Sequence, residues 1–343
     1  MSVLEKCSKC GGTVFYSPEN KGLKCDKCAS ITEIKFDNTY ELREIDPTAT
    51  NDIKLRHFGV LKCSSCGASI SNKKSNMATE CQYCGANVIE EMDFENGLVP
   101  NAVFPFEISK EKAKVDFISW VKGKPFVKKD FKKKVKDCEI ESMYIPVFEY
   151  DMYCDSDYKA RLYEIDRDSD GNSTKSYKNV SGVINTRNKN ISVECSNYIN
   201  DYRLNDLKPF WTDKLYRFDK TFVLGYSVEH PNIDVMKGRD IAKKYNEQKI
   251  NSRIVEKHGC SGYDYINKDV KYNTIKHKYL LYPIHRLKVD YNGNTSYAYM
   301  NGQSGKKNGS LPISVWKVVL VVLGGIGLLC AGVLLSFLFG GSF

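Results

Sequence analysis

The spacing of apolar residues changes between a helical and a strand-like pattern several times along this chain of 343 residues. Residues 109–122 and 235–257 keep apolar side chains on one helical face, and Ser109 is a suitable N-cap for the first helix. The rest of the middle region is rich in Tyr, Val and Ile and is interrupted by turn clusters such as RDSDGNS, a pattern typical of antiparallel strands. The pattern therefore predicts a mixed α+β, β-rich domain over residues 98–310.

The same region contains two short segments with weak sequence similarity to each other. The segment YIPVFEY (144–150) follows the first predicted helix, and LYPIHRL (281–287) follows the second, 137 residues later. Two interpretations are open at this point. The region is either a duplicated helix-plus-hairpin unit, or it contains two apolar strands that resemble each other by chance.

The C-terminal end is strongly apolar. Residues 318–339 form 22 consecutive positions without a charge, about the length that a helix needs to cross a hydrocarbon core of roughly 30 Å. The segment 315–340 is therefore predicted to be one transmembrane helix. Lysines precede this segment and none follows it, which predicts a tail-anchored, single-pass cell-membrane protein with a cytoplasmic N-terminal region. Gly327 and Ala331 would let the helix pair closely with another, although glycine is common in such helices.

Eight of the thirteen cysteines form four C-x₂-C pairs, and fourteen residues separate the pairs in each of two units. Two such pairs supply the four thiolates that a tetrahedral zinc ion requires. We therefore predict zinc ribbon 1 at residues 1–32, a connector at 33–60 and zinc ribbon 2 at 61–92. The predicted ligands of the two Zn²⁺ ions are Cys7, Cys10, Cys25, Cys28, Cys63, Cys66, Cys81 and Cys84.

Both zinc ions are predicted to be structural. A catalytic zinc keeps an open position and usually has three protein ligands, whereas thiolates fill all four positions here. His57 lies between the ribbons, but neither ribbon needs it as a ligand. Glycine follows the second cysteine in three of the four pairs, which suits a turn with positive φ, and Ala29 takes its place in the fourth.

The formal charge of +9 is modest for a chain of this size. Two Zn(Cys)₄ centres would lower it to about +5, because zinc-bound cysteines are deprotonated. No signal peptide opens the sequence and the cysteines cluster in motifs, so we expect reduced thiols. Neither ribbon interleaves aromatic residues with arginine as nucleic-acid binders do, which favours a protein-docking or purely structural role.

Residues 121–137 contain eight lysines, and Phe131 and Val135 within this stretch would share one face of a short helix. Three interpretations are open: a solvated basic face, contact with anionic membrane lipid, or contact with nucleic acid. Lysine far outnumbers arginine in the chain, which disfavours sequence-specific reading of DNA. The candidate lipid-contact residues are Lys128, Lys129, Lys132, Lys133, Lys134 and Lys136.

Motifs for enzymatic chemistry are missing from the sequence. It has no phosphate loop, zinc-protease helix, nucleophile elbow or dinucleotide fingerprint, and NGQSGKKNG (301–309) resembles a phosphate loop only superficially. Cys195 or Cys260 could act as a nucleophile with one of the five histidines, but isolated cysteines are usually core residues. We therefore predict that the protein is not an enzyme.

The order of these parts resembles a group of bacterial membrane proteins with transcription-factor-type, primosomal-helicase-like zinc ribbons. The resemblance rests on the paired ribbons, on KGKPFVKKDF (122–131) and on YAYMNGQSGKKNGSLPIS (297–314) before the apolar end. Some members of the group resemble components of envelope-stress systems that work beside phage-shock-protein-A-like and flotillin-like proteins. The resemblance implies an adaptor, and only the eight cysteines are carried over as site residues.

The sequence as a whole predicts a multidomain, non-enzymatic, membrane-anchored adaptor or scaffold that recruits other proteins. The resemblance suggests phage-shock-protein-A-like or flotillin-like partners and a role in envelope stress. Membrane lipid is a further expected contact, and homo- or hetero-oligomers through the terminal helix would be compatible with its small residues. The alternative is a membrane-tethered protein that binds nucleic acid through its ribbons, although nucleic acid is not the expected partner.

Overall fold

The computed structural model describes residues 6–45, 60–63, 69–71, 76–80, 87–89, 99–169 and 171–339. Within these ranges the chain forms five α-helices and sixteen β-strands. The helices are α1 Lys110–Gly123, α2 Lys129–Lys134, α3 Asp201–Leu207, α4 Val235–Lys257 and α5 Val315–Phe339. The strands are β1 Val14–Ser17, β2 Gly22–Cys25, β3 Ile31–Glu33, β4 Arg43–Ile45, β5 Val60–Lys62, β6 Ser69–Ser71, β7 Asn76–Glu80, β8 Asn87–Ile89, β9 Ala102–Val103, β10 Glu139–Arg167, β11 Ser173–Glu194, β12 Tyr216–Arg217, β13 Ser227–Glu229, β14 Gly262–Tyr291, β15 Asn294–Asn301 and β16 Lys307–Gly309.

The two helices expected from apolar spacing are confirmed. α1 begins after Ser109, whose side-chain oxygen accepts a hydrogen bond from the Lys112 amide at 3.4 Å, as an N-cap does. α4 covers the whole predicted segment, and Asp234 caps it by accepting a hydrogen bond from the Lys237 amide at 2.8 Å. The antiparallel strands expected for the rest of the middle region are also present, because β10 pairs antiparallel with both β11 and β14.

The central strand β10 changes its environment along its length. Every residue from Met143 to Met152 is buried, so both faces of the sheet are covered in this part. Beyond residue 153 buried and exposed positions alternate, with Ala160 and Leu162 packed in a cluster that includes Ile254 of α4. One face of the far sheet therefore lies against α4, while the other carries exposed side chains.

We call this far, three-stranded extension the arm. It comprises residues 153–167 of β10, 173–187 of β11 and 262–274 of β14. β10 lies in the middle, so the arm brings together residues about a hundred positions apart in sequence. Its length exceeds that of ordinary strands, which typically have 3–10 residues.

The two similar segments, 144–150 and 281–287, pair with each other as neighbouring strands. Tyr144 lies opposite Pro283, the counterpart of Pro146 in the second segment, and Pro146 lies opposite Leu281, the counterpart of Tyr144. Between them, Ile145 faces its own counterpart, Tyr282. Antiparallel pairing relates the two segments by a local two-fold axis, an arrangement that both a duplicated unit and two unrelated apolar strands can adopt.

The N-terminal segment packs onto this domain. Val14, Tyr16 and Leu23 share one buried cluster with Tyr144 and Tyr279 of the central sheet. β4 pairs antiparallel with β14, and the Asn101 side chain donates a hydrogen bond to the Glu41 carbonyl at 2.8 Å. The region 33–60, predicted as a connector, therefore includes a strand of the main sheet.

The NGQSG turn at residues 301–305 is part of the stretch on which the family resemblance rests. Its role in this structure is to connect two parts of the domain by hydrogen bonds. The Asn301 amide group donates to the carbonyl oxygens of Leu207 (3.0 Å) and Pro209 (2.9 Å), and its oxygen accepts from the Gln303 amide at 2.8 Å. A Cβ atom on Gly302 would lie 2.5 Å from the Phe106 ring, so only glycine fits there. The turn thus fastens the segment after α3 to the sheet.

The prediction of a transmembrane helix at 315–340 is wrong by this structure. In the part of the chain that it describes, no helix is both long enough and apolar enough to cross a membrane. The fold class therefore loses its membrane helix, and the predicted single-pass membrane location with a cytoplasmic N-terminal region is overturned with it.

Candidate metal centre

Four cysteines from two tight turns converge at the edge of the first ribbon. The sulfur atoms of Cys7, Cys10, Cys25 and Cys28 all lie within 4.8 Å of one another. Cys7 Sγ is 3.7 Å from Cys28 Sγ, and Cys10 Sγ is 3.5 Å from Cys25 Sγ. These distances are far longer than a disulfide bond of about 2.05 Å. They agree with the sulfur–sulfur separation of about 3.8 Å in a tetrahedron whose corners lie about 2.3 Å from a zinc ion.

The backbone forms this arrangement through two left-handed turns. Gly11 follows the first cysteine pair with φ 70°, and Ala29 follows the second with φ 55°. Between the knuckles, the hairpin β1–β2 pairs Val14 with Cys25, which carries the second pair back to the first. The Cys7 amide also donates a hydrogen bond to the Gly12 carbonyl at 2.8 Å. Local backbone geometry therefore brings the four sulfur atoms together.

Ser30 supports the thiolates and was not identified from the sequence. Its hydroxyl lies 3.2 Å from Cys7 Sγ and 3.1 Å from Cys28 Sγ. The hydrogen bond from Ser30 is the main reason why the pKa of Cys7 falls to about 6, and it also lowers the pKa of Cys28. The Gly12 amide lowers the pKa of Cys10, but the neighbouring thiols outweigh it and raise that pKa to about 12. The cluster therefore favours a thiolate at Cys7 before any ion binds, and Ser30 shifts Cys28 in the same direction.

The cluster meets the requirements for one metal ion. All ligands are soft sulfur atoms, two of them buried and two exposed, and the hydroxyl of Ser30 gives a second layer of hydrogen bonds of the kind that orients metal ligands. In the described residues it is the only group of three or more His, Cys, Asp or Glu side chains arranged in this way. One of the two predicted cysteine sets is therefore assembled.

The second set can be followed only in part. Cys63 is described and is buried, whereas Cys66, Cys81 and Cys84 lie outside the described residues, as does His57. Strands β7 and β8 of this region form an antiparallel pair, and β7 also pairs with β13 at the edge of the main sheet. The second predicted ribbon is thus attached to the domain through a strand.

The first ribbon is held against the domain by direct contacts. The Tyr16 amide donates to the Leu224 carbonyl at 2.9 Å, and the Tyr226 hydroxyl donates to the Tyr16 carbonyl at 3.3 Å. Gly225 has φ 85°, and a Cβ atom there would lie 2.7 Å from Phe15 Cβ. The segment after residue 220 therefore fits closely around the ribbon hairpin.

The lysine run forms an amphipathic segment rather than a site. Phe131 and Val135 are fully buried in one cluster with Val127, which confirms that they share a face. The lysines lie around this buried face: Lys132 donates to the Lys122 carbonyl at 2.7 Å, and Lys134 pairs with Asp137 at 3.3 Å. The six candidate lipid-contact lysines are therefore placed on the rim of α2 and the turn after it, and lipid contact stays a prediction.

The isolated cysteines and histidines occupy separate places. Cys195 is fully buried, and burial raises the pKa of its thiol well above the usual value. Cys260 Sγ approaches the His258 carbonyl at 3.6 Å, not its ring. His285 is buried between Ser142 (2.8 Å from Nδ1) and the Ile108 carbonyl (3.0 Å from Nε2), where burial lowers its pKa to about 4.

A carboxylate group that the sequence did not reveal lies beside an open cleft of about 480 Å³. Glu194 lines this cleft, and burial, followed by the charges of Asp201 and Glu229, raises its pKa to about 8. Glu229 itself accepts hydrogen bonds from the Asn197 amide (2.6 Å) and side chain (3.0 Å). Glu194 and Glu229 are 35 residues apart and no motif joins them, so sequence patterns gave no signal.

Comparison with known proteins provides one distant relative. The chain is 27% identical over 352 aligned positions to the "Uncharacterized protein YdjG" of Bacillus subtilis, and the alignment covers all of both proteins. No protein-family profile matches the chain, and no solved structure matches it. The full coverage indicates that the relative has the same overall extent.

Proposed function

We propose that the four clustered cysteines hold a structural Zn²⁺ ion and that Cys63, Cys66, Cys81 and Cys84 hold a second one. The support is chemical: four thiolates at the corners of a tetrahedron suit zinc, and they leave no open position for a substrate or water. The ion would close a hairpin that is too short to bury a core by itself.

We further propose that the protein is a non-enzymatic adaptor that binds other proteins. The observation that carries this proposal is the packing of the closed cysteine cluster onto the central domain, through Tyr16 and Leu224. A metal in this position would hold a protein surface in a fixed shape. Fixed shape lowers the entropy cost of docking a partner, because less of the interface must be ordered on binding.

The first partners to test follow from the resemblance to envelope-stress components. They are phage-shock-protein-A-like and flotillin-like proteins from a bacterium that carries this chain. Each predicted ribbon is a separate candidate for the docking surface, so at least one of them should be needed for binding.

The metal content gives the first experiment. Elemental analysis of the purified full chain should give two zinc ions per chain. Cys7→Ser/Cys10→Ser and Cys63→Ser/Cys66→Ser should each give one. A stoichiometry of one in the intact chain that only the first double variant removes would refute the second site.

Partner binding gives the second experiment. The full chain and both double-cysteine variants are mixed with each purified candidate partner, and the binding is measured by biolayer interferometry. The adaptor proposal expects micromolar or tighter binding that at least one double variant weakens tenfold or more. Binding that neither double variant changes would count against the adaptor proposal. So would the absence of binding both to the candidate partners and to any protein that a crosslinked pull-down with the full chain recovers.

A further inference from the structure

The exposed face of the arm carries a cluster of tyrosine and cationic side chains, which we call the tyrosine patch: Arg161, Tyr163, Lys175, Tyr177 and Tyr265. Tyr163 lies opposite Tyr177 on β11, and Arg161 lies opposite Tyr265 on β14. Paired residues of antiparallel strands project to the same face, so all five share one face. Ala160 and Leu162, at the alternate positions of β10, face α4.

The patch presents aromatic rings and positive charge together. Tyr177 and Tyr265 are 49% and 45% exposed. The Arg161 guanidinium lies 4.5 Å from the centre of the Tyr177 ring, and the Lys175 ammonium lies 4.2 Å from the centre of the Tyr163 ring. The two rings are 6.0 Å apart and meet edge to face.

A glycine makes room for one of these rings. A Cβ atom on Gly262 would lie 2.5 Å from the Tyr163 hydroxyl oxygen and 2.6 Å from Cζ, so the Tyr163 side chain crosses the sheet directly above that residue. The patch extends over three strands, about 10 Å across at 4.8 Å per strand spacing.

Charge favours a polyanionic ligand for this face. On the exposed face of the arm the basic residues outnumber the acidic ones: Lys159, Arg161, Arg167, Lys175, Arg187 and Lys271 against Asp155, Asp157 and Asp269. Asp264 pairs with Arg161 at 3.5 Å, but both side chains are about half exposed, so this ion pair is weak and can be exchanged. Lys178 is engaged by Glu164 on the other face of the sheet, so it does not contribute to the patch.

We propose that the tyrosine patch binds single-stranded nucleic acid. Bases would stack on the exposed tyrosine rings, and the flanking phosphates would meet Arg161 and Lys175. Open sheets with two or three exposed aromatic rings bind two or three bases of single-stranded RNA in this way. This binding is separate from the proposed adaptor function and does not involve the ribbons.

The test uses fluorescence anisotropy of the full chain with 5′-fluorescein-labelled dT₁₂ and U₁₂ at 50 mM salt. The variants Tyr177→Ser and Tyr265→Ser should each weaken binding at least about fivefold, as expected for the loss of one stacked base. Arg161→Gln and Lys175→Gln should each reduce the log–log salt slope by about 0.7.

Matched controls separate stacking from general charge attraction. Tyr202→Ser removes a tyrosine that is 75% exposed but lies on α3, outside the arm. Lys133→Gln/Lys134→Gln removes two cations from the lysine run. Neither control should change the affinity for dT₁₂ or U₁₂ more than twofold.

Three outcomes would overturn the proposal. The first is no anisotropy change up to 100 μM chain, and the second is binding that survives the tyrosine variants. The third is equal competition by polyglutamate, which has the charge but no bases. Zinc content and circular dichroism of each variant establish that it is folded, so a loss of binding reports on the patch.

Discussion

Ala29 shows how a single residue departs from the pattern that its neighbours follow. It has a positive φ of 55° at the place where Gly11 stands, with φ 70°, in the other knuckle. The left-handed conformation costs a non-glycine residue roughly 1–2 kcal/mol. The turn in this conformation points Cys28 towards the other three sulfur atoms of the cluster.

The two knuckles therefore predict opposite effects of reciprocal substitutions. Ala29→Gly should raise the free energy of unfolding by about 0.5–1 kcal/mol, the relief of strain less the added freedom of the unfolded chain. Gly11→Ala should lower it by about 1 kcal/mol through backbone strain alone, because no atom lies within 4 Å of the added Cβ. Urea denaturation of the zinc-loaded chain measures both. A loss of stability in Ala29→Gly would contradict this account of the turn.

Two buried histidines make stability depend on pH. Burial lowers the pKa of His277 and of His285 to about 4. Below the ordinary pKa of 6.5 the unfolded chain gains protons at these residues that the folded chain cannot accept, so the free energy of unfolding falls as the pH drops from 6.5 towards 4. Glu194 acts in the opposite sense, because its raised pKa makes the folded chain hold a proton between about 4.5 and 8.

The histidine effect is best measured as a difference between two chains. Between pH 6.5 and 4.5 the intact protein should lose roughly 2 kcal/mol more stability than His285→Gln, since each unit of pKa difference corresponds to about 1.4 kcal/mol. Urea titrations at the two pH values give both losses. Parallel pH profiles for the two chains would show that His285 is not the responsible group.

Among the elements, the helices could be predicted from the sequence, whereas the pairing of distant strands could not. The apolar spacing and caps of α1 and α4 are local, and the sequence predicts both helices. The register of β10 against β14 joins residues up to 149 positions apart, and apolar runs cannot specify such partners. The similarity between the two proline-containing segments was the only feature of the sequence that related these two strands.

The contact between the first ribbon and the domain can be tested at one glycine. Gly225→Ala should lower the free energy of unfolding by about 2–4 kcal/mol, because it adds both backbone strain at φ 85° and a collision with Phe15. Gly259→Ala has the same strain, at φ 64°, without any atom near the new Cβ, and should cost only about 1–2 kcal/mol. The difference between the two variants in urea denaturation measures the ribbon contact. Equal losses would mean that the ribbon adjusts freely.

At the scale of the whole molecule, the metal centre and the main domain are expected to unfold together. Val14, Tyr16 and Leu23 belong to the same buried cluster as Tyr144 and Tyr279. Loss of the metal would loosen the hairpin that carries Val14, Tyr16 and Leu23. Part of the buried cluster would then be exposed to solvent.

This coupling gives a prediction for metal removal. Cys10→Ser should release one metal ion and lower the melting temperature of the entire transition by several degrees, and hydrogen exchange should accelerate in β1, β2 and residues 222–226. Cys260→Ser changes a half-buried cysteine outside the cluster and should leave both measurements as they are. A separate early transition for the ribbon, with the main transition unchanged, would show that the two parts are independent.

The sequence revealed the chemistry of the metal centre better than the shape of the molecule. The C-x₂-C spacing identified the four clustered cysteines because each knuckle is a local turn, but Ser30 has no spacing rule that would mark it. The tyrosine patch draws on three strands and was invisible for that reason. Apolar composition at 318–339 predicted a membrane helix, whereas in the described residues no helix meets the length and apolarity that a span requires.

The reciprocal pairing of Tyr144 with Pro283 and of Pro146 with Leu281 is what a gene duplication would leave in the structure. Two identical chains that dimerise across a two-fold axis make such contacts, and fusion of their genes would retain them within one chain. Such an ancestor would have carried two equal hairpins. Today the first hairpin extends through the 22 residues of β11, while the second ends with the eight of β15. In a fused chain the two copies can diverge independently, and a duplication of this kind would account for an arm on one hairpin only.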